Sequence, residues 1–339
     1  MPFELTGQVR ATEILRGALE RGQVHHAYLF GGPEGAGKEL AALRFVQALN
    51  CEKAQGVACG TCGECKRIAN HGHPDVNWVM PEQELIARKL AGRTDFSDAP
   101  SRDIRVAQVR KLIERLALKA LTARRKAAVL VRAERMNPQA QNALLKTLEE
   151  PPPETTLILV TSAPDALLPT IRSRCLRVPF VPLPLEQVAA EVALQRKLPM
   201  STATLCARLA QGSLSRALEL DADRLAERAE LFRDVASLKH DDARPALALA
   251  ERLSERPEAE WALGMLELWL RDQLLLADGL DDASIANVDL RADLDRAVAN
   301  QQSSRLLTRL DAVHAAQENI KKNGSPRLQL ERLFLEYLP

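Results

Sequence analysis

A glycine-rich segment that ends in a lysine is the first candidate for chemistry in this sequence. Residues 31–39 read GGPEGAGKE and, counted from Gly32, fit the pattern G-x-x-x-x-G-K. The segment follows a short apolar run and opens a predicted helix, which is the context of a phosphate-binding loop. Backbone N–H groups around Gly32, Gly35 and Gly37 would face phosphate oxygens, and Lys38 would reach the outer phosphates.

The same loop lacks the groups that hold magnesium in an active ATPase. The pattern requires Ser or Thr after the lysine, and this chain has Glu39. The later apolar run that should end in Asp-Glu is followed by Arg132 and Ala133 instead. Glu134 is expected to point to another face. Because hydrolysis depends on the metal, we expect the chain not to bind ATP, or to bind it without hydrolysis.

Four of the six cysteines lie within fifteen residues and form a candidate metal site. Their spacing is C-x₇-C-x₂-C-x₂-C, with glycines between the closely spaced pairs that let the thiolates converge on one tetrahedral ion. Four thiolates leave no open position, so the spacing predicts a structural Zn²⁺. The ligands would be Cys51, Cys59, Cys62 and Cys65.

Two histidines and two further cysteines are weaker candidates. His71 and His73 are close enough in sequence to be rival ligands, but four thiolates already saturate zinc. We expect both histidines to be surface or capping residues. Cys175 and Cys206 stand apart in the sequence and are expected in or near the core.

The elements that must position these residues are strands and helices in alternation. Short apolar runs predict strands at 27–30, 76–80, 127–131 and 157–161. Helices are predicted at 38–49 and 106–116, and a third begins at Asn137-Pro138 and ends before the prolines at 151–153. This order predicts a parallel sheet covered by helices on both faces.

The residue pattern changes after 178–184, a proline-rich segment that is typical of a linker. Beyond it the strand patterns disappear and leucine-rich helical spacing dominates, with a break at Gly212-Ser213. We predict three domains: an α/β domain at 1–180 that carries a cysteine insert at 51–65, a small helical domain at 181–222 and a helical domain at 223–339.

Composition sets broad limits on function. The 339 residues are 46% hydrophobic and 27% charged, with a formal net charge of +1. This balance is ordinary for a globular protein and gives no global sign of an independent, high-affinity nucleic-acid binder. No stretch approaches the ~20 apolar residues of a membrane span, and the first residues lack the apolar core of a signal peptide. We therefore expect a cytoplasmic protein with no membrane partner.

Several segments together resemble the bacterial clamp-loader subunits of the AAA+ class, which belong to the DNA polymerase III holoenzyme. They are HHAYLFGGPEGAGK at 25–38, the cysteine insert, HPD at 73–75, NALLKTLEEPP at 142–152 and LLPTIRSRC at 167–175. The resemblance covers about 1–180, and SPRLQLERLFLEYL at 325–338 also looks like the end of these proteins' collar domain. It implies an AAA+ P-loop domain, a helical lid domain and a collar domain for oligomerisation.

Within this class the chain is similar to the non-motor subunit, because a motor subunit would carry G-K-[ST] and an Asp-Glu strand end. The family uses that subunit as a rigid stator without catalysis of its own. The implied partners are the motor (gamma/tau) and delta subunits of a hetero-pentameric ring. Through the assembled ring the chain would also act on the sliding clamp and primed DNA.

The resemblance also implies roles for single arginines. Arg174, in the Ser-Arg-Cys segment, would reach the ATP of a neighbouring motor subunit as an arginine finger, and the alternative is a structural salt bridge. Arg216 lies in a segment that resembles a nucleotide sensor but is offset by one residue, which favours a helix-surface cation. Arg105 and Arg110 are expected on a solvated helix face.

Two other functions compete with the stator. The chain could be an autonomous P-loop ATPase in which Glu39 replaces the Ser or Thr, which predicts turnover by the isolated protein. It could also be a zinc-dependent nucleic-acid-binding module. The near-neutral charge and the lack of aromatic residues among the cysteines count against that last function.

Overall fold

The computed structural model describes residues 3–54, 56–280, 284–299 and 301–337. The chain divides into two compact units, Met1–Pro184 and Leu185–Pro339. The boundary between the two units lies at the end of the proline-rich segment. The predicted division of the second unit near residue 222 stays a prediction.

A five-stranded parallel sheet forms the centre of the first unit. The strands are β1 (Ala27–Gly31), β2 (Val76–Val79), β3 (Lys126–Val131), β4 (Thr155–Thr161) and β5 (Leu176–Pro179). Their order in the sheet is β2-β3-β4-β1-β5. β3 and β4 are buried along their whole length, as expected for a sheet covered on both faces.

The fifth strand corrects the sequence analysis, which assigned 178–184 entirely to a linker. Residues Leu176–Pro179 pair with β1 in parallel, and the Phe180 N–H then donates to the Gly31 carbonyl at 2.7 Å. An edge strand tolerates proline because only one side of its backbone joins the sheet. The buried Val178 and Phe180 join the core, so the linker begins after these residues.

Both faces of the sheet are covered, as predicted. Successive residues of β1 alternate between two cores: Tyr28 and Phe30 pack on one face, and Ala27 and Leu29 on the other. The helices of this unit are α1 (Val9–Glu20), α2 (Lys38–Asn50), α3 (Gly63–Ala69), α4 (Glu82–Ala87), α5 (Val106–Ala117), α6 (Pro138–Glu149) and α7 (Pro169–Arg172).

The boundaries of α6 follow the predicted signals. Asn137 is the N-cap, and its side chain accepts a hydrogen bond from the Ala140 N–H at 2.8 Å. Pro138 occupies the first helical position, where its missing N–H costs nothing. The helix ends at Glu149, two residues before the first of the three prolines.

The second unit is helical, as predicted, with a core centred on the long helix α13 (Arg256–Ala277). Ser213 caps the helix that follows the predicted break, since its Oγ accepts from the Arg216 N–H. No described helix is long and apolar enough to cross a membrane. The helices are α8 (Leu185–Arg196), α9 (Met200–Ala210), α10 (Leu214–Glu219), α11 (Ala222–Ser237), α12 (Ala243–Arg252), α13 (Arg256–Ala277), α14 (Arg291–Val298), α15 (Ser303–Lys321) and α16 (Pro326–Arg332).

Candidate functional sites

The glycine-rich segment forms a tight loop between β1 and α2. Gly32 has φ 156°, and a Cβ there would lie 2.3 Å from the Phe180 carbonyl oxygen, so the loop requires glycine at this position. Gly37 caps α2 with φ 84°, and Gly35 also has a positive φ of 73°. The buried Lys38 donates from Nζ to the Gly32 carbonyl at 2.6 Å and to the Pro33 carbonyl. The lysine is thus bonded to its own loop.

The surroundings of Lys38 contain two carboxylates. Burial lowers the pKa of this lysine, and the negative charges of Glu134 and Glu34 partly oppose that effect. Glu134 was expected to point to another face, and this expectation was wrong. Its Oε1 accepts from the Ser162 hydroxyl, just beyond β4, at 3.2 Å. The reason is local: Arg132 adopts φ 55° and a 3₁₀ turn follows, so the alternation of a strand does not continue to Glu134.

A run of four ion pairs, here called the charge chain, connects Glu39 and Arg132, the two residues found where the sequence pattern of an active ATPase predicts magnesium ligands. The Glu39 carboxylate accepts from both terminal nitrogens of Arg88, one of them at 3.0 Å, and Arg88 also contacts Glu84. Glu84 Oε2 lies 3.9 Å from Arg132 Nη1, and Arg132 Nη2 lies 3.5 Å from Glu34 Oε1. A set of paired side chains therefore stands at both positions.

Burial alone would lower the pKa of Arg88, but its hydrogen bonds and charge pairing with Glu39 and Glu84 raise it. Sequence reasoning missed Glu84 and Arg88, which belong to no motif. Their i, i+4 spacing at the end of α4 was the one available signal.

The four predicted zinc ligands come together. Their Sγ atoms all lie within 4.8 Å of one another, and Cys59 Sγ is 4.0 Å from Cys65 Sγ. A tetrahedral zinc ion with Zn–S bonds of ~2.3 Å separates its sulfurs by about 3.8 Å, so the cluster has the dimensions of such a site. Four thiols in this arrangement could bind a metal ion.

The backbone around the cluster orients the sulfurs. Cys62 caps α3, and its Sγ accepts from the Cys65 N–H at 3.4 Å. The Thr61 hydroxyl, together with the N–H groups of Thr61 and Cys62, donates to Cys59 Sγ and lowers the pKa of that thiol to about 5. Burial raises the pKa of Cys65 to about 12. A buried thiol of this kind becomes a thiolate when a cation compensates its charge, which fits a metal ligand.

The two histidines near the cluster behave differently from each other. His73 was expected to be a surface or capping residue, but it is buried. Its Nε2 contacts the Glu64 carboxylate of α3, and its Nδ1 accepts from the Asp75 N–H at 3.0 Å. It therefore connects the cysteine insert to β2. His71 is half-buried and packs against the Trp78 ring at 4.5 Å.

Arg174 lies just after α7, and its side chain is 35% exposed. Its Nη2 is 2.7 Å from Glu149 Oε1 at the end of α6, and its Nη1 donates to the Thr170 carbonyl at 2.9 Å. The salt bridge considered as an alternative is thus present within the chain. Because the Glu149 side chain is 51% exposed, solvent screens this ion pair. The Arg174 guanidinium can therefore exchange Glu149 for another anion.

The remaining candidates take up ordinary positions. Cys175 and Cys206 are buried, as expected, and burial raises the pKa of Cys175 to about 12. Arg216 is exposed on α10, in agreement with a helix-surface cation. Arg110 is exposed on α5, whereas Arg105 is half-buried and donates to the Ala99 carbonyl at 2.9 Å.

Comparison with known proteins assigns both parts of the chain. Residues 7–184 match the family described as DNA polymerase III, delta subunit, and residues 222–337 match its C-terminal family. The chain is 29% identical to the DNA polymerase III subunit delta' of Bacillus subtilis, with 97% of this chain and 95% of that protein covered. It is 31% identical to the same subunit of Pseudomonas aeruginosa, with 94% and 93% covered.

Sequence identity alone does not separate these relatives from the gamma/tau subunits. The gamma/tau subunit of Mycobacterium bovis is also 31% identical over 97% of this chain, but only 59% of that longer protein is covered. The delta' relatives match this chain over nearly their whole length. The first family match alone spans more than half of the 339 residues. The chain therefore belongs to the DNA polymerase III delta' family of clamp-loader subunits.

Proposed function

We propose that this chain is the non-motor, stator subunit of the replicative clamp loader of DNA polymerase III. In this role it assembles with gamma/tau and delta subunits into a hetero-pentameric ring that loads the sliding clamp onto primed DNA. The delta' names of its full-length relatives support this assignment. A helical lid at 181–222 and a collar from 223 would complete the chain, and the second family match, which begins at residue 222, supports that boundary.

The charge chain is the observation that carries the stator proposal. Hydrolysis by a P-loop protein requires a magnesium ion held by a hydroxyl after the lysine and by a carboxylate at the end of a strand. Here the first position is Glu39, which is paired with Arg88, and the second is the cation Arg132. A divalent cation would meet the positive charge of both arginines at close range. We therefore expect no intrinsic ATP hydrolysis.

Arg174 is the residue that we assign to chemistry in a neighbouring subunit. Phosphoryl transfer increases the charge on the γ-phosphate oxygens, and a planar guanidinium can bind two of them at once. In the isolated chain this group is held by Glu149 and the Thr170 carbonyl. Exchange of the Glu149 carboxylate for a phosphate in the ring would keep the guanidinium paired with an anion throughout.

We further propose that Cys51, Cys59, Cys62 and Cys65 hold a structural Zn²⁺. The convergence of the four sulfurs supports this, as does the hydrogen bonding that orients them. A set of four thiolates leaves no coordination position for a substrate. The ion would therefore stabilise the insert and take no part in catalysis.

Reconstitution tests the proposal. The chain, a gamma/tau subunit and delta from one organism should form a stable ring whose ATPase exceeds that of gamma/tau alone when clamp and primed DNA are present. The chain alone should show only background turnover. ATPase activity of the isolated chain at motor-subunit rates would instead establish the autonomous ATPase, and failure to assemble would exclude the stator.

A further inference from the structure

A cavity of about 440 Å³ lies in the second unit, among α11, α13, α14 and α15. Neither the phosphate loop nor Arg174 nor the cysteine cluster has any part in it. Cavities that hold small ligands typically have roughly 300–1,000 Å³ and combine apolar walls with a few polar groups. This cavity has the required size and both kinds of group.

Aromatic and aliphatic side chains form its walls. Phe232 of α11 and Trp269 of α13 stack with ring centroids 4.2 Å apart and an interplanar angle of 20°. Leu266 and Leu270, from the same face of α13, extend this apolar surface. Apolar atoms that line a void lose dispersion contacts, and a ligand with an apolar body would restore them.

Gln273 supplies the polar group inside the cavity. Its side chain lines the space although the residue is only 3% exposed. An amide carries two donor hydrogens and an acceptor oxygen. A ligand in the cavity could therefore exchange a hydrogen bond with Gln273.

The charges around the cavity are mainly positive. Arg233, Arg296 and Arg309 line it, together with one carboxylate, Asp293, which pairs with Arg296. Arg309 is only 8% exposed, and its donors include bonds to two neutral oxygens, the Tyr337 carbonyl at 3.0 Å and Gln301 Oε1 at 3.1 Å. Burial, with a contribution from the Arg305 charge, lowers the pKa of Arg309. The arginines stay charged, so the side chains named here give the cavity wall more positive than negative charge.

We propose that this cavity binds a small amphipathic anion, with an apolar body against Phe232 and Trp269 and an acidic group near Gln273 and the arginines. The distribution of apolar surface favours a compact ligand over a partner protein. Of the large apolar side chains that are exposed in the described part of the second unit, none lines the cavity. The apolar surface is therefore confined to the interior and does not extend into a broad docking face.

Dye binding to the intact, full-length chain tests the proposal. The anionic probe is 8-anilinonaphthalene-1-sulfonate, and its neutral analogue N-phenyl-1-naphthylamine has the same apolar body without the charge. We expect one saturable site for the anion, quenching of tryptophan emission, and binding at least ~10-fold tighter than that of the neutral analogue, equivalent to about 1.4 kcal/mol. Equal affinity for the two probes, or no saturable site, would overturn the proposal.

Variants locate the site. Ala236→Trp, at an exposed position on the rim, should block dye binding, and Gln273→Leu and Arg233→Glu should each weaken it ~5-fold or more. Lys322→Glu, an exposed charge reversal on no cavity wall, is the matched control and should bind as the wild type does. Melting curves establish that each variant is folded. Unchanged binding by Ala236→Trp would refute the location, and displacement of the dye on adding gamma/tau and delta would assign the cavity to a partner chain instead.

Discussion

Replacing Arg174 with alanine should lower the ATPase of the assembled ring while leaving the fold of this chain intact. The Arg174–Glu149 pair is 35% and 51% exposed, and exposed ion pairs contribute roughly 0–1 kcal/mol to stability. Losing about 1 kcal/mol lowers the melting temperature by only ~2–4 °C in a unit of this size. An arginine supplied in trans is worth ~10³–10⁵ in rate at the site it serves. The finger role therefore predicts a large loss of turnover at one motor site, whereas the salt-bridge role predicts only a small loss of stability.

The matched control is Glu149→Gln, which removes the charge of the same ion pair but keeps the guanidinium. The assay is ATP turnover by reconstituted rings with clamp and primed DNA, with a melting curve for each variant. The Arg174→Ala ring should lose the share of turnover that comes from the adjoining motor site, and the Glu149→Gln ring should lose none. Arg174→Lys should restore little, because lysine lacks the planar fork. Equal losses for Arg174→Ala and Glu149→Gln would show a structural salt bridge, and an undiminished Arg174→Ala ring would exclude the finger.

The other predictions concern metal and nucleotide. Elemental analysis of protein purified under reducing conditions should find about one Zn²⁺ per chain, and Cys65→Ser should lose it; metal-free wild-type protein would contradict the site. Chelation should expose the insert to proteolysis while far-ultraviolet circular dichroism shows that most helix and sheet remain. Glu39→Thr should give no ATPase, since Arg132 still occupies the second metal position, and turnover by this single variant would refute the role given to the charge chain. Arg88→Ala should lower the melting temperature by only a few degrees, because ion pairs that stay partly exposed to solvent are weak, and calorimetry checks this.

The features that were predictable from the sequence depend on residues close together in the chain. The apolar run at 127–131 is the buried strand β3, because continuous apolar runs fit strands covered on both faces. Asn137-Pro138 predicted the start of α6 because capping is a matter of one helical turn. The cysteine spacing predicted that the four sulfurs converge, because the four residues lie in one short segment of the chain.

The features that were missed depend on residues brought together by the fold. The Pro179 end of β5 resembled a linker because strand pairing with β1 is not visible in a local pattern. Glu134 was placed on the wrong face, since strand alternation was continued past the positive φ of Arg132. Arg88, the partner of Glu39, lies 49 residues away in the sequence. The burial of His73 was also missed, because its contact with Glu64 depends on how the cysteine insert folds.

If the loop is inert, as we propose, the charge chain also accounts for the presence of Glu39 and Arg132 in the same protein. In an active loop without its metal, a glutamate at position 39 would have no cation to pair with. An arginine at position 132 would be repelled by a bound metal ion. In this chain each of the two residues is paired, Glu39 with Arg88 and Arg132 with Glu34 and Glu84. Restoring one metal ligand alone breaks a pair and leaves the opposite cation in place. Under the proposed function, recovery of a metal site would require changes at both ends of the charge chain at once, which supports the proposal that the loop is inert.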